Sequence, residues 1–210
     1  MRLHILVEGP SEKAFLDGWL PRFLPPQHTY KVIPHRGKGR IPQDPSLKPD
    51  PKRQGLLDQL PAKLRAFGKE FNPDVDRVVV LVDLDKDDCL DLKKSMVNLL
   101  EFCTPRPPTV LFRIAIEETE AFYLGDKAAI KRAFPKAKLH KIDSYNQDSI
   151  CGTWELFQKV IDANSDDKVA WAERIGPHLT TQWSGSQANR SDSFRQFCKA
   201  ILRLVGEPID

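Results

Sequence analysis

The chain has 210 residues, 40% of them apolar and 29% charged, with a formal net charge of +3. That balance fits one soluble domain with a real core, or one domain with a substantial extension. No run of about 18 apolar residues exists, which excludes a membrane-spanning helix, and the net charge is too small to identify an acidic partner by itself.

The opening MRLHILVEGP lacks the long apolar region and small-residue cleavage site of a secretion signal, so a cytoplasmic protein is expected. Cys89, Cys103, Cys151 and Cys198 lie far apart with no CxxC pair, and reduced, mostly buried thiols are expected. Charge is unevenly spread. Between Tyr30 and Phe71 there are ten Lys or Arg against four Asp or Glu, whereas from Phe71 to Leu100 seven acids face four bases. A basic segment therefore adjoins an acidic one.

In chain order, residues 3–7 are a short apolar run that fits a buried strand. Gly9, Pro10 and Ser11 punctuate it, and Ser11 is placed to cap a helix carrying Phe15, Leu16, Trp19 and Leu20 on one side. Gly18 and Pro21 are expected to limit that helix. A second short strand is expected over residues 30–33. The following HRGKGRIPQDPSLKPDPKRQG is too rich in Gly, Pro and basic residues for a regular element and reads as a long mobile loop.

Leu60, Leu64, Phe67 and Phe71 recur at helical spacing, with Pro61 tolerable in a first turn. RVVVLV at residues 77–82 is the clearest central strand. Leu92, Met96, Leu99 and Leu100 mark a further helix, and residues 109–116 a further strand. This alternation predicts an α/β fold, a mostly parallel sheet flanked by helices, over residues 1–125. Beyond Gly125 the pattern is mainly helical, at residues 127–134, 154–163, 168–175 and 193–205, with a polar loop over 135–152. Residues 126–210 are read as a helical extension packed on the sheet domain.

Chemistry concentrates at three places. In VEGPSE, Glu8 ends the first strand, where ligands bind in open α/β sheets, and can ligate a metal or act as general acid or base. Glu12, four residues on, either joins it or simply favours the helix dipole. In LVDLDKDDC, Asp83 and Asp85 follow the most apolar strand. Two apart in extended chain, they are expected to face one site, with Asp87 and Asp88 just after. Four carboxylates within six residues repel one another, and a hard divalent cation relieves that. The plainer account is a solvated acidic turn, with Asp87 or Asp88 capping the next helix. In RIAIEETEAFYLGD, one of Glu117, Glu118 and Glu120 is expected to reach the same site.

VEGPSE followed far downstream by LVDLDKD resembles the TOPRIM fold, whose members place a glutamate after the first strand and a DxD motif after a later one. Here these are Glu8 and Asp83-x-Asp85. The order VEGPSE, VVVLVDLDKDDC, RIAIEETEAFYLGD, Lys168, NRSDSF covers most of the chain. It is closer still to a TOPRIM-like family of small proteins related to OLD-type nucleases, often encoded beside an ABC- or SMC-like ATPase in settings tied to anti-phage defence. The resemblance implies a Mg²⁺- or Mn²⁺-dependent nuclease acting on DNA, with RNA less favoured. It implies Glu8, Asp83, Asp85 and Lys168 as catalytic groups, to which the acidic places add Glu12, and those same places offer Glu8, Asp83, Asp85, Asp87, Glu117 and Glu120 as metal ligands. His35, Arg36, Lys38 and Arg40 would track phosphates from the loop, and Arg190 would add a contact if the NRSDSF run folds back.

This chain has no GxxxxGK[ST] loop, so any ATPase must be a separate subunit, and a homodimer stays open. No tyrosine among Tyr30, Tyr123 and Tyr145 lies in a topoisomerase-like cleavage motif. Two alternatives remain: a non-catalytic metal- and nucleic-acid-binding regulatory subunit, and a metal-bound phosphate-ester transferase.

Overall fold

The computed structural model describes residues 1–149 and 152–209. Four strands, β1 (Arg2–Val7), β2 (Thr29–Pro34), β3 (Asp76–Asp83) and β4 (Val110–Ala115), form one sheet in the order β2-β1-β3-β4, every neighbouring pair parallel. Parallel strands covered on both faces read as nearly unbroken apolar runs, which is why LHILV and VVVLV lack alternation. Leu3, Ile5 and Val7 of β1 and Val79 and Leu81 of β3 join one core; Leu6, Val78, Val80 and Val82 join the other.

The second core is closed by α2 (Leu56–Glu70) and α3 (Cys89–Asn98), the latter running into a 3₁₀ turn at Leu99–Phe102. The first core is closed by α1 (Pro10–Phe23), α4 (Glu120–Leu124), α5 (Lys127–Ala133), α6 (Thr153–Ile161), α7 (Lys168–Ile175) and α8 (Asp192–Val205). Phe157, Trp171, Phe194 and Phe197 of the C-terminal helices therefore share one core with Leu3 and Phe15. Among the described residues no helix is long and apolar enough to cross a membrane. Cys89, Cys103 and Cys198 are free thiols, whereas Cys151 lies outside the described residues.

Several local expectations are corrected. Gly9, not Ser11, is the residue before α1, with Pro10 in the first turn where its missing N–H costs nothing. Gly18 and Pro21 do not end the helix, which continues to Phe23. An interior proline costs about 3 kcal/mol, but each fully buried large apolar side chain contributes about 1.5–3 kcal/mol. Phe15, Leu16, Trp19 and Leu20 are all completely buried, and their docking outweighs the proline. Gly18 has a packing role: a Cβ there would lie 2.9 Å from Pro177 Cδ and 3.2 Å from Gly176 C. Trp19 Nε1 donates to the Thr180 carbonyl at 3.0 Å, and Arg22 donates to the carbonyls of Gly176 (2.8 Å) and Leu179 (2.7 Å), fixing the same contact. Pro61 sits in the second turn of α2 because the helix begins at Leu56, carried by buried Leu56, Leu57, Leu60 and Leu64.

The basic loop is irregular, as expected, but it is tied down. His35 N–H donates to Val7 O (3.0 Å), Gly37 N–H to Glu8 O (2.8 Å), Leu56 N–H to Gly37 O (2.8 Å) and Leu57 N–H to Lys38 O (2.7 Å). Arg65 of α2 reaches the carbonyls of Pro45 at 2.6 Å and Leu47 at 3.1 Å.

At the amino end of the sheet, Asp76 accepts from Arg2 at 2.5 and 2.7 Å, pairs with His4 Nε2 at 2.7 Å and accepts the Asn72 N–H at 3.0 Å. The Arg2 hydrogen bond outweighs burial and holds the Asp76 carboxyl well below its ordinary range. His4 also stacks on Phe71 at 4.0 Å between ring centres. Asp76→Ala removes the acceptor from two basic groups and is expected to cost about 3 kcal/mol, read from the urea midpoint at pH 7. A cost near zero would show that the network contributes nothing to the fold.

Candidate carboxylate site

The chain leaves β1 for β2 on one side and later returns to β3 on the other. Such a reversal opens a crevice at the carboxyl ends of the two strands, and in open α/β sheets ligands bind there. Glu8 follows β1 directly, and Asp83 is the last residue of β3. The Asp83 N–H donates to Glu8 Oε1 at 2.8 Å, joining the two strand ends. Glu12, in the first turn of α1, is 8% exposed, and its Oε1 accepts from Ser11 Oγ at 2.8 Å. Glu120, the first residue of α4, is 4% exposed.

These acids act on one another. Desolvation, only partly offset by the Asp83 N–H, pushes the Glu8 carboxyl up to about 8, with Glu12 and Asp85 adding to the rise. Desolvation also pushes Asp83 well above the ordinary range, reinforced by Glu8, Glu12 and Glu120, while the hydrogen bond from Thr119 Oγ1 (2.9 Å) pulls the other way. Glu120 rises to about 7 through burial, opposed by Lys168. Near neutrality the cluster therefore retains protons that ordinary carboxylates would have shed.

The three predicted acidic places do meet, but not through every residue named. Asp85 is turned aside: its φ of +53° ends the extended path, so the two-residue alternation with Asp83 fails. Its carboxylate accepts from Lys38 Nζ at 3.1 Å, and Asp87 pairs with the same ammonium at 2.7 Å. Lys38 also donates to the Leu84 carbonyl at 3.0 Å. Burial disfavours its charge, but Asp87 and Asp85 outweigh that and hold its pKa above the ordinary value. The adjoining basic and acidic segments thus meet directly. Asp88 is the N-cap of α3, accepting from the N–H groups of Leu90 (2.9 Å) and Asp91 (3.0 Å).

Glu117 is likewise diverted. At φ +62° its carboxylate points to the start of α6, where it accepts from the N–H groups of Gly152 and Thr153. Glu118 accepts there too, from Trp154 N–H and Thr153 Oγ1, both at 3.2 Å. Two carboxylates at a helix N-terminus meet its unsatisfied donors and dipole. Of the three acids, Glu120 is the one that acts on Asp83.

Lys168 places its ammonium 3.2 Å from Glu118 and 3.6 Å from Glu120, 5.2 Å from the centre of the Trp154 ring. Burial lowers its pKa, and Glu120 and Glu118 more than restore it. It partners the acids themselves. Among the loop residues, Arg36 and Arg40 are exposed, Arg40 beside a groove of about 390 Å³ shared with Lys38, Asp87 and Asp88. His35 is held inward: Nδ1 donates to the Val7 carbonyl at 2.8 Å, Nε2 is buried without a partner among the described residues, and burial lowers its pKa toward the neutral ring. Arg190 is exposed, its N–H donates to Gly125 O at 3.0 Å, and its charge bears on Asp143.

The NRSDSF run is chiefly architectural. Asn189 Nδ2 donates to Phe122 O (2.8 Å), and Ser191 Oγ accepts the Phe194 N–H (3.1 Å) as N-cap of α8. Ser191→Ala is expected to cost about 1 kcal/mol, read as a lowered melting temperature; an unchanged value would deny the cap.

Sequence reasoning missed Thr119, which orients Asp83, and Tyr123, buried where Glu120, Glu12 and Asp83 reinforce the rise that desolvation imposes on its phenol. The three-residue spacing of Glu120 and Tyr123 on a helix was the available signal.

The donor set of Glu8, Glu12, Asp83, Glu120 and the Thr119 hydroxyl is all oxygen, the chemistry that suits Mg²⁺ or Mn²⁺ over softer metals. Among the described residues, no three acids, imidazoles or thiols are placed to enclose an ion. Residue type fits a hard cation, and ligation requires the side chains to draw together. A family described as a domain of unknown function, DUF4276, matches residues 7–201. No curated protein and no solved structure matches the chain.

Proposed function

The chain belongs to the DUF4276 family, whose description assigns no activity, and from its own residues we propose a TOPRIM-like, Mg²⁺- or Mn²⁺-dependent nuclease. The observation that carries this reading is the part-buried pairing of Glu8 with the end of β3, beside the buried Glu12 and Glu120. Like-charged carboxylates held out of water are stabilised by a divalent cation, and the switch point between β1 and β3 is where a substrate reaches them.

A bound ion would supply Lewis acidity to a phosphate and lower the pKa of a water molecule. Glu8 and Asp83 would hold it, with Glu12 and Glu120 completing the donor set. Thr119 fixes the rotamer of Asp83 through its hydroxyl. Alternatively, if Glu8 does not ligate the ion, it would serve to move a proton, since burial pushes its carboxyl up to about 8 in the metal-free site. Lys168 keeps Glu120 and Glu118 compensated. Exposed Arg36 and Arg40 would take the phosphate backbone, DNA in preference to RNA, and Lys38 would join them on leaving Asp85 and Asp87. Resemblance to OLD-type nucleases supports a separate ABC- or SMC-like ATPase as partner, and a role in anti-phage defence.

The test is incubation of the purified chain, alone and with a co-expressed neighbouring ATPase, with labelled single- and double-stranded DNA and RNA plus Mn²⁺. Cleavage abolished by chelation supports the reading; no cleavage under any of these conditions contradicts it. The second reading, a non-catalytic metal- and nucleic-acid-binding subunit, is favoured by the Lys38 ammonium already lodged between Asp85 and Asp87. It predicts nucleic-acid binding without cleavage.

A further inference from the structure

The two edges of the sheet are unlike. β2 carries an exposed lysine, Lys31, and ends in Pro34, two features that discourage further strand pairing. β4, VLFRIA, has neither an exposed lysine nor a proline. The carbonyls of Thr109 and Ala115 accept from Val78 and Leu84, so the odd-numbered residues of β4 turn their peptide groups to β3. The N–H and C=O groups of Phe112 and Ile114 therefore face outward, and none of the described residues bonds to them.

A groove of about 290 Å³ runs along this edge. Phe112, Ile114 and Ile116 line it, together with Lys93 of α3 and Ser193 and Gln196 of α8. Arg113 also lines it. Its Nε is buried without an acceptor, and the guanidinium makes no ion pair among the described residues. Two acids line the same groove and are already engaged: Asp192 accepts from Arg195 at 3.0 Å, and Asp148 accepts the Ser193 N–H at 2.8 Å. Arg203 adds a second positive charge beside Arg113. A half-buried arginine without an acceptor among the described residues, next to strand amides that none of those residues pairs, calls for a carboxylate carried on an extended chain.

We propose that the β4 edge receives an extended segment of a partner protein as a fifth strand, with an Asp or Glu of that segment paired to Arg113. Main-chain hydrogen bonds from Phe112 and Ile114 supply affinity, and the acid supplies selectivity. A second copy of this chain is a poorer occupant. Antiparallel pairing of two β4 edges centred on Arg113 sets the two guanidinium groups opposite each other. This inference is independent of the nuclease reading, and its readout does not involve cleavage.

The probe is a capped peptide of about seven residues, strand length, alternating Thr and Val around a central Glu. It is titrated into the intact protein while the Phe112 and Ile114 amide signals are followed by NMR. Those signals are expected to shift and to gain protection from exchange. Replacing the Glu of the peptide by Lys should weaken binding by about tenfold or more, and Arg113→Met should erase that difference. N-methylating the alternate peptide amides that face β4 should abolish binding, a result that needs no protein variant. Equal binding of the Glu and Lys peptides, indifference to N-methylation, or no binding at millimolar peptide would each overturn the proposal. So would self-association through β4 that the Glu peptide does not displace.

Discussion

Asp83→Asn is expected to reduce Mg²⁺- or Mn²⁺-dependent phosphodiester cleavage by at least about a thousandfold while leaving the chain folded and at least as stable at pH 7. Asparagine keeps the size of Asp83 and can still accept from Thr119 Oγ1, so the local hydrogen bond survives. What disappears is a carboxyl whose ionised form is opposed by burial, Glu8, Glu12 and Glu120, and which a bound cation would need in that form. Removing like charge from such a place stabilises or is neutral, by about 1 kcal/mol. The loss of activity and the retained melting temperature are measured on the same preparation. Full activity in this variant would remove Asp83 from the site; a large fall in melting temperature would assign it a structural task. Asp85→Ala should be the milder change, because Asp85 is turned toward Lys38.

Without metal, the protein is expected to lose stability as pH rises from about 6.5 to 8. Glu8 and Glu120, raised to about 8 and about 7, hold protons in the folded state that the unfolded chain has released above 4.5. Where the folded state binds more protons, stability falls with rising pH, by about 1.4 kcal/mol per pH unit for each extra proton. The contribution is complete below 4.5 and is lost through the folded-state values. Asp76 works in the opposite sense: its carboxyl is depressed, so its contribution is present above 3.8 and is lost only at lower pH. His35, whose pKa burial lowers, works against them below its ordinary 6.5, so the raised carboxylates are reported most directly between about pH 6.5 and 8. Urea midpoints in chelator should decline across it, and Mg²⁺ added at pH 8 should recover part of the loss. A flat or rising profile would contradict the clustered arrangement.

Much of this arrangement was legible in the sequence because it follows from short-range patterning. The apolar runs of β1 and β3 marked central strands, and an acid immediately after each marked the carboxyl edge where Glu8 and Asp83 meet. What was not legible depended on single backbone angles and on distant contacts. Nothing in LVDLDKDDC announces that Asp85 adopts a left-handed conformation and swings to Lys38, 47 residues away in the chain. Nothing in IEETE distinguishes Glu117, which serves the start of α6, from Glu120, which faces Asp83. Pro21 does not break α1 because the burial of Trp19 and Leu20 against the C-terminal helices, a tertiary effect, outweighs it. The composition of the loop containing Lys38 suggests mobility for the same reason: its anchors, the ends of β1 and α2, are tertiary contacts.

The central claim is that Glu8 and Asp83 hold a divalent cation at the switch point between β1 and β3. The most direct measurement is anomalous scattering from crystals of the protein grown with Mn²⁺. The expected result is a peak within about 2.2 Å of carboxylate oxygens from both Asp83 and Glu8, absent from Asp83→Asn crystals prepared in the same way. A peak confined to Asp85 and Asp87 in place of Lys38, or no peak at all at saturating Mn²⁺, would contradict it.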